Sequence, residues 1–170
     1  MSRMTIIPTY LTALKERFGL LNIIETGTIR NTNKDYVEGD GHPTLHIAEW
    51  VKHNGGSFTS IDLYTEVAKR YLTSHNLQNF VKFEQGDSRR ILGGFTKPLH
   101  FVLLDSANDA DVILAEFELV EPLIVGGGIV MVDDVYMDSV NVVKGHKVIP
   151  YARKKYNVYL IGNGLAVIHL

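Results

Sequence analysis

Apolar and polar positions along the chain alternate between two rhythms. Short runs rich in apolar residues read as strands: LNIIE (21–25), SFTSIDL (57–63), NFVKFEQ (79–85), LHFVLLD (99–105) and GIVMVDD (128–134). Between them, apolar residues recur at three- and four-residue spacing, the signature of a helix with one buried face. Ile7, Leu11, Leu14 and Phe18 predict a packing helix over 8–18, within an N-terminal segment 1–20. Leu45, Ala48 and Val51 predict a second over 44–53, with Trp50 as a packing residue. Further helices are predicted over 64–75, over 87–94 ending at glycines, and over 109–122, where Pro122 stops the pattern.

Strand–helix alternation with strands apolar on both faces predicts a parallel sheet covered on both sides. The C-terminus breaks the rhythm. NVYLIGNGLAVIHL (157–170) is two apolar runs joined at Asn163-Gly164, a pair suited to the type I′ turn of a tight hairpin. The last strand is therefore expected to run antiparallel. The preceding segment 143–156 reads as a loop and a short helix. No repeat or linker interrupts 1–170, so a single α/β domain is expected.

The longest apolar stretch, LIVGGGIVMV (123–132), is too short to cross a bilayer. Its glycines read as a turn leading into a buried strand. The N-terminal segment has no signal-peptide pattern, and no membrane association is expected. The 170 residues suffice for one domain with a real core. Hydrophobic residues make up 45% and charged ones 21%, ordinary for a globular chain. A net charge of -2 provides no broad basic field, which disfavours nucleic acid as a partner. The absence of cysteine removes disulfides, thiolate metal sites and cysteine nucleophiles together, and fits a reducing cytoplasm. Oligomeric state is left open, a homodimer included.

In an open parallel sheet, ligands bind beyond the carboxyl ends of the strands. Every predicted strand end here carries an acid: Glu25-Thr26-Gly27-Thr28, Asp62 with Leu63, Asp87-Ser88, Asp105, and Asp133-Asp134. A phosphate site would instead use several glycines and a lysine. Only Gly27 is present, and a carboxylate beside it would repel phosphate. The charge sign favours a cationic adenosyl compound, S-adenosylmethionine, over NAD or ATP. Asp62 is placed to accept from ribose hydroxyls, and Asp87 with Ser88 to meet adenine.

These motifs, in this order, resemble the class I S-adenosylmethionine-dependent methyltransferases, in particular small-molecule O-methyltransferases similar to catechol O-methyltransferase. ETGT resembles motif I, SIDL the second-strand acidic motif, and GDS the adenine-side motif. LLDSAND and VMVDDV resemble the fourth- and fifth-strand ends. The resemblance covers about residues 20 to 170. It implies a Rossmann-like seven-stranded, mostly parallel sheet with helices on both faces and a C-terminal antiparallel β-hairpin. It implies O-methylation of a small molecule. It assigns cofactor binding to Glu25, Thr26, Gly27, Thr28, Asp62, Leu63, Asp87, Ser88 and Asp105. In the metal-dependent branch the matching magnesium ligands would be Asp105, Asp133 and Asp134. Two departures stand out. The terminal pair is Asp-Asp rather than Asp-Asn. Where the family places a lysine base, three residues past the fourth-strand acid, this chain has Asn108. Asp105, Asp134 and His146 are then the candidate catalytic groups.

The segment 29–41 is far longer than the usual strand-to-helix connection of about 2–6 residues. With Tyr36 and Val37 in it, it is expected to fold over the cofactor and shape the acceptor pocket. His42, His46 and Glu49 carry a spacing that could suit zinc, weakened by Pro43 and the lack of a His-Glu-x-x-His pattern. Two other functions compete: a non-catalytic adenosyl-ligand binder with the same fold, and an NAD-dependent oxidoreductase. The missing motif glycines count against the latter.

Overall fold

A computed structural model describes residues 3–33, 42–135, 142–162 and 164–170. The described residues form a seven-stranded sheet with helices on both faces. In chain order the elements are α1 (Arg3–Phe18), β1 (Asn22–Thr26), α2 (Pro43–Asn54), β2 (Ser57–Asp62), α3 (Glu66–Ser74), β3 (Lys82–Gln85), α4 (Ser88–Leu92), β4 (Leu99–Leu104), α5 (Ala110–Val120), β5 (Ile124–Val132), α6 (Gly145–Ala152), β6 (Asn157–Ile161) and β7 (Leu165–His169). The strand order is β3-β2-β1-β4-β5-β7-β6. β1 to β5 pair in parallel. β7 runs antiparallel to both β5 and β6, as the hairpin pattern predicts. Gly164 has φ of 79°, in the left-handed region that a tight turn uses; Asn163 lies outside the described residues.

The period of two in each strand divides the core. Ile23, Phe58, Phe101, Ile129 and Val167 face α1, α2 and α3. Ile24, Ile61, Val102, Val130 and Ile168 face α4, α5 and α6. Leu11, Ile47, Leu72, Ile113, Phe117 and Val148 are fully enclosed on the helix side. Trp50 packs between α1 and α2, its indole N–H donating to Thr12 Oγ1 at 3.1 Å. No described helix is long and apolar enough to cross a membrane.

Several boundaries differ from the sequence reading. α1 begins at Arg3 and carries Pro8 within it. α3 begins at Glu66, and Leu63 and Tyr64 stand exposed before it, at 58% and 75% of their full surface. Residues 78–80 wind into a single 3₁₀ turn, leaving β3 four residues long. The glycines at 126–128 are not a turn ahead of β5. They lie inside it, where the register against β4 shifts between Leu99 and Phe101. The bulge makes room for Arg17, whose guanidinium donates to the Gly126 carbonyl at 3.2 Å and lies where a side chain on Gly127 would be.

Candidate functional site

The carboxyl ends of the parallel strands are level. Thr26 is paired with Ile61 and Leu104, and Leu104 with Val132. Backbone bonds continue past the strands: Gly27 N–H to Ile61 O at 2.8 Å, Asp105 N–H to Thr26 O at 2.8 Å, and Asp133 N–H to Leu104 O at 3.0 Å. The strand-end acids are thus held on one edge, but their side chains separate into three environments.

Glu25 belongs to the α1–α3 face. It is 2% exposed, and its Oε2 accepts Thr44 Oγ1 of α2 at 2.8 Å and Ser60 Oγ of β2 at 2.7 Å. Two hydroxyls on one oxygen fix a carboxylate under the β1 turn. Gly27 follows with φ of 88°, and any side chain there would collide with the Asp105 carbonyl. Only glycine lets β1 turn this closely across β4. Thr28 N–H then donates to Asp62 Oδ2 at 3.1 Å.

Asp62 also accepts Tyr64 N–H at 2.9 Å, so it braces the turns after β1 and β2 and does not cap α3. It borders a cleft of about 260 Å³ whose lining includes Leu63, Tyr64, Asp87, Ser88 and Ala107. Asp87 caps α4, accepting Arg89 N–H at 2.9 Å and pairing with the Arg89 guanidinium at 2.7 Å. The arginine's hydrogen bond holds the Asp87 carboxyl down to about 2. A larger hollow, about 480 Å³, opens at the opposite edge of the sheet beside Asn22, Ser57, Lys82 and Leu99. Those residues start their strands, so this hollow is away from the acidic crest.

Thr26 and Ser88 point to the other face, and both donate to one buried carboxylate. Glu116 of α5 is fully buried and accepts Thr26 Oγ1 at 2.8 Å and the Ser88 hydroxyl. Burial raises its pKa, against the pull of these hydrogen bonds. Glu116 ties β1 and α4 together beneath the cleft. Its sequence signal was faint: one acid within the buried stripe formed by Ile113, Phe117 and Val120.

The third environment gathers Asp105, Asp133 and Asp134, with one carboxylate oxygen of each within 4.8 Å of the others. Asp133 is 2% exposed and its Oδ1 accepts Asp134 N–H at 2.9 Å. Asp134 has φ of 50°. Such oxygen donors are of the kind magnesium or calcium takes. A protein cation lies among them, however. Lys144, itself only 4% exposed, donates Nζ to Asp105 Oδ1 and lies 3.6 Å from Asp134 Oδ2. Burial works against its charge, but Asp105, Asp134 and Asp133 outweigh it and hold its pKa above the usual lysine value. The trio therefore fits a divalent ion in donor type but not in charge or space while Lys144 stays in place.

One hydrogen bond and one packing contact bring Lys144 there. Asn108 Oδ1 accepts Val143 N–H at 3.0 Å, and Gly145 packs α6 so tightly on Val135 that a side chain there would clash. A lysine is therefore present, supplied from the segment before α6 instead of from position 108. Nothing in its sequence context marked it. His146 is exposed on the first turn of α6, and no hydrogen bond or ion pair joins its ring to the carboxylates.

His42 and His46 do not converge. His42 is buried with Nε2 bonded to Asn31 O at 2.9 Å, whereas His46 faces Glu49 at 3.4 Å. Of the long connection, residues 29–33 are described and Ile29 is buried. Residues 34–41, with Tyr36 and Val37, lie outside the described residues.

Comparison with known proteins gives concordant results. The profile of a family described as a methyltransferase domain matches residues 38–135, more than half of the chain. No curated protein matches by sequence. Among solved structures, the O-methyltransferase NovP superposes with a TM-score of 0.75 at 15% identity, over 98% of this chain and 78% of NovP. TomG of Streptomyces achromogenes, an O-methyltransferase of tomaymycin synthesis solved with S-adenosylmethionine, gives 0.64 at 18% identity, over 96% and 79%. A Staphylococcus aureus protein described as a candidate caffeoyl-CoA O-methyltransferase gives 0.68 at 20% identity, over 99% and 84%. At such identities the likeness establishes the fold.

Proposed function

The chain belongs to the methyltransferase-domain family, and on that premise we propose that it moves the methyl group of S-adenosylmethionine to an oxygen of a small molecule. The observation that carries the reading is the buried Glu25 under the Gly27 turn, which runs on to Thr28, whose N–H bonds Asp62 at the border of the cleft. A carboxylate fixed there opposes the cofactor's positive amino-acid end and would repel a pyrophosphate. The Thr26 hydroxyl is committed to Glu116, so Thr26 contributes its backbone, along with Gly27 and Thr28. Asp62 takes the ribose hydroxyls, with Leu63 against the sugar. Asp87 and Ser88 border the adenine. Asp105 closes the site on the methyl side.

Transfer is a displacement in line with the sulfur–carbon bond. A lone pair of the acceptor oxygen forms the new carbon–oxygen bond, the sulfur–carbon bond breaks, and its electron pair stays on sulfur. The acceptor hydroxyl's proton goes to a carboxylate of the Asp105–Asp134 group. Alignment and exclusion of water supply the rate, since the cofactor carries the reactive methyl group. The small-molecule acceptor follows from the O-methyltransferase neighbours and from a chain without a basic surface field. A cytoplasmic location rests on the cysteine-free composition.

Calorimetric titration tests the reading. S-adenosylmethionine and S-adenosylhomocysteine are expected to bind one per chain, and NAD not at all. NAD binding with no adenosyl-sulfonium binding would sink it. Cofactor binding with no transfer to any hydroxylated acceptor would leave a non-catalytic binder.

A further inference from the structure

We propose that Lys144 is the resident cation of the acceptor site, standing where a divalent ion would otherwise sit and orienting the acceptor oxygen itself. The inference rests on the methyltransfer reading for the acceptor, but its charge argument stands on the structure alone. Three carboxylates that share a few ångströms of space need a positive partner. The Lys144 ammonium supplies it from a buried position, in contact with Asp105 and 3.6 Å from Asp134. It is delivered by the Asn108–Val143 hydrogen bond and the close seat of Gly145 on Val135.

A divalent ion bridging Asp105 and Asp134 would meet a fixed positive charge and would find Asp105 Oδ1 engaged. Magnesium also demands nearly ideal octahedral oxygen geometry. Lys144 and the ion therefore compete for one place. An ammonium has three N–H groups. Among the described residues one N–H goes to Asp105, while Asp134 at 3.6 Å is an ion-pair neighbour beyond hydrogen-bond length, so N–H capacity remains for an acceptor oxygen. Asp105 and Asp134 are 20% and 29% exposed at the side chain, so the acceptor reaches the group from their side. A divalent ion gains its hold by chelating two neighbouring hydroxyls; an ammonium can receive one hydroxyl oxygen by itself. A molecule presenting a single hydroxyl is therefore a sufficient acceptor, without need of a vicinal diol.

The test is manganese binding to the protein, with and without added S-adenosylhomocysteine, read by electron paramagnetic resonance. The wild-type chain is expected to show no stoichiometric site, and Lys144→Ala and Lys144→Gln to gain one site per chain, at least about tenfold tighter than any wild-type binding. Adding Asp134→Asn to either variant should remove it. A stoichiometric site in the wild type overturns the proposal without any variant. So does the absence of a gained site in folded Lys144 variants. Calorimetric cofactor binding on the same samples reports the methyltransfer reading separately, because manganese binding can be scored whether or not the cofactor binds.

Discussion

Asn108 holds Val143: its side-chain oxygen accepts the Val143 N–H at 3.0 Å, and the next residue is Lys144. Asn108 lies three residues beyond Asp105, so a single loop presents the carboxylate and tethers the segment bearing its cation. Removing the tether should loosen Lys144 without touching the cofactor cleft. Asn108→Ala is expected to lower kcat about fivefold, the worth of about one hydrogen bond, with the KM for S-adenosylmethionine unchanged. Steady-state kinetics decide it. An unaltered kcat would show that the tether does not serve the reaction.

In the proposed binding mode Glu25 contributes through charge more than shape. Glu25→Gln keeps an oxygen for Thr44 and Ser60 but removes the charge that the proposed binding mode sets against the cofactor's ammonium. Affinity for S-adenosylmethionine should fall by about tenfold or more while the thermal midpoint holds. Titration calorimetry measures both ligand affinity and stoichiometry. An unchanged dissociation constant would remove Glu25 from the cofactor site.

Gly27 is fixed by two independent constraints, its φ of 88° and its approach to the Asp105 carbonyl. Gly27→Ala should cost about 2–5 kcal/mol, from a strained backbone and from overpacking together. Gly126→Ala meets nothing within 4 Å and serves as the control, expected within about 0.5 kcal/mol of wild type. Urea denaturation distinguishes them. Equal losses at the two positions would show that the β1 turn is not under the constraint described.

The sheet was legible in the sequence because its strands are apolar on both faces and its hairpin carries Asn-Gly. Glycine-rich β5 was harder to read. Residues 126–128 look like punctuation, and only the contact with Arg17, remote in sequence, makes them a bulge within a strand. The acids at the strand ends were also legible, since each follows an apolar run. What they do to one another was not. Asp87 turns out to cap a helix, Glu25 to lie buried against two hydroxyls, and Asp105 to meet a lysine. Those pairings depend on the side chains' facing directions and on a residue 39 positions away, which local pattern does not encode.

Glu116 should make stability fall with rising pH. Burial sets its folded pKa above the unfolded value of about 4.5, so the native state binds more proton between those two values. Stability therefore declines as pH rises through that window and levels off above it. Glu116→Gln should remove the decline, so its midpoint relative to wild type climbs across the same window. Thermal melts from about pH 4 to 8 would show this. Parallel profiles for the two proteins would mean that burial does not raise the Glu116 pKa above its unfolded value.

Asp87 can be divided into its two roles. Asparagine caps helices about as well as aspartate, and the exposed pair with Arg89 contributes little. Asp87→Asn should leave the melting midpoint nearly unchanged. In the proposed binding mode it also replaces an acceptor by a donor in front of the adenine amino group, so cofactor affinity should drop about three- to tenfold. If affinity holds as well, Asp87 is a cap and nothing more.

β7 is synthesised after β6 yet lies between β6 and β5. On the ribosome, β5 emerges with one flank unclaimed and waits while some thirty further residues are translated. Only when 165–169 clear the exit tunnel does that flank close, and with it the Val135 to Gly164 bond at 2.7 Å that lies beside Asp133 and Asp134. A nascent chain stalled short of this point would carry a raw apolar sheet edge, open to chaperones and to other copies of itself. The acidic cluster at the end of β5 is thus flanked on that side only after both strands of the hairpin have been made.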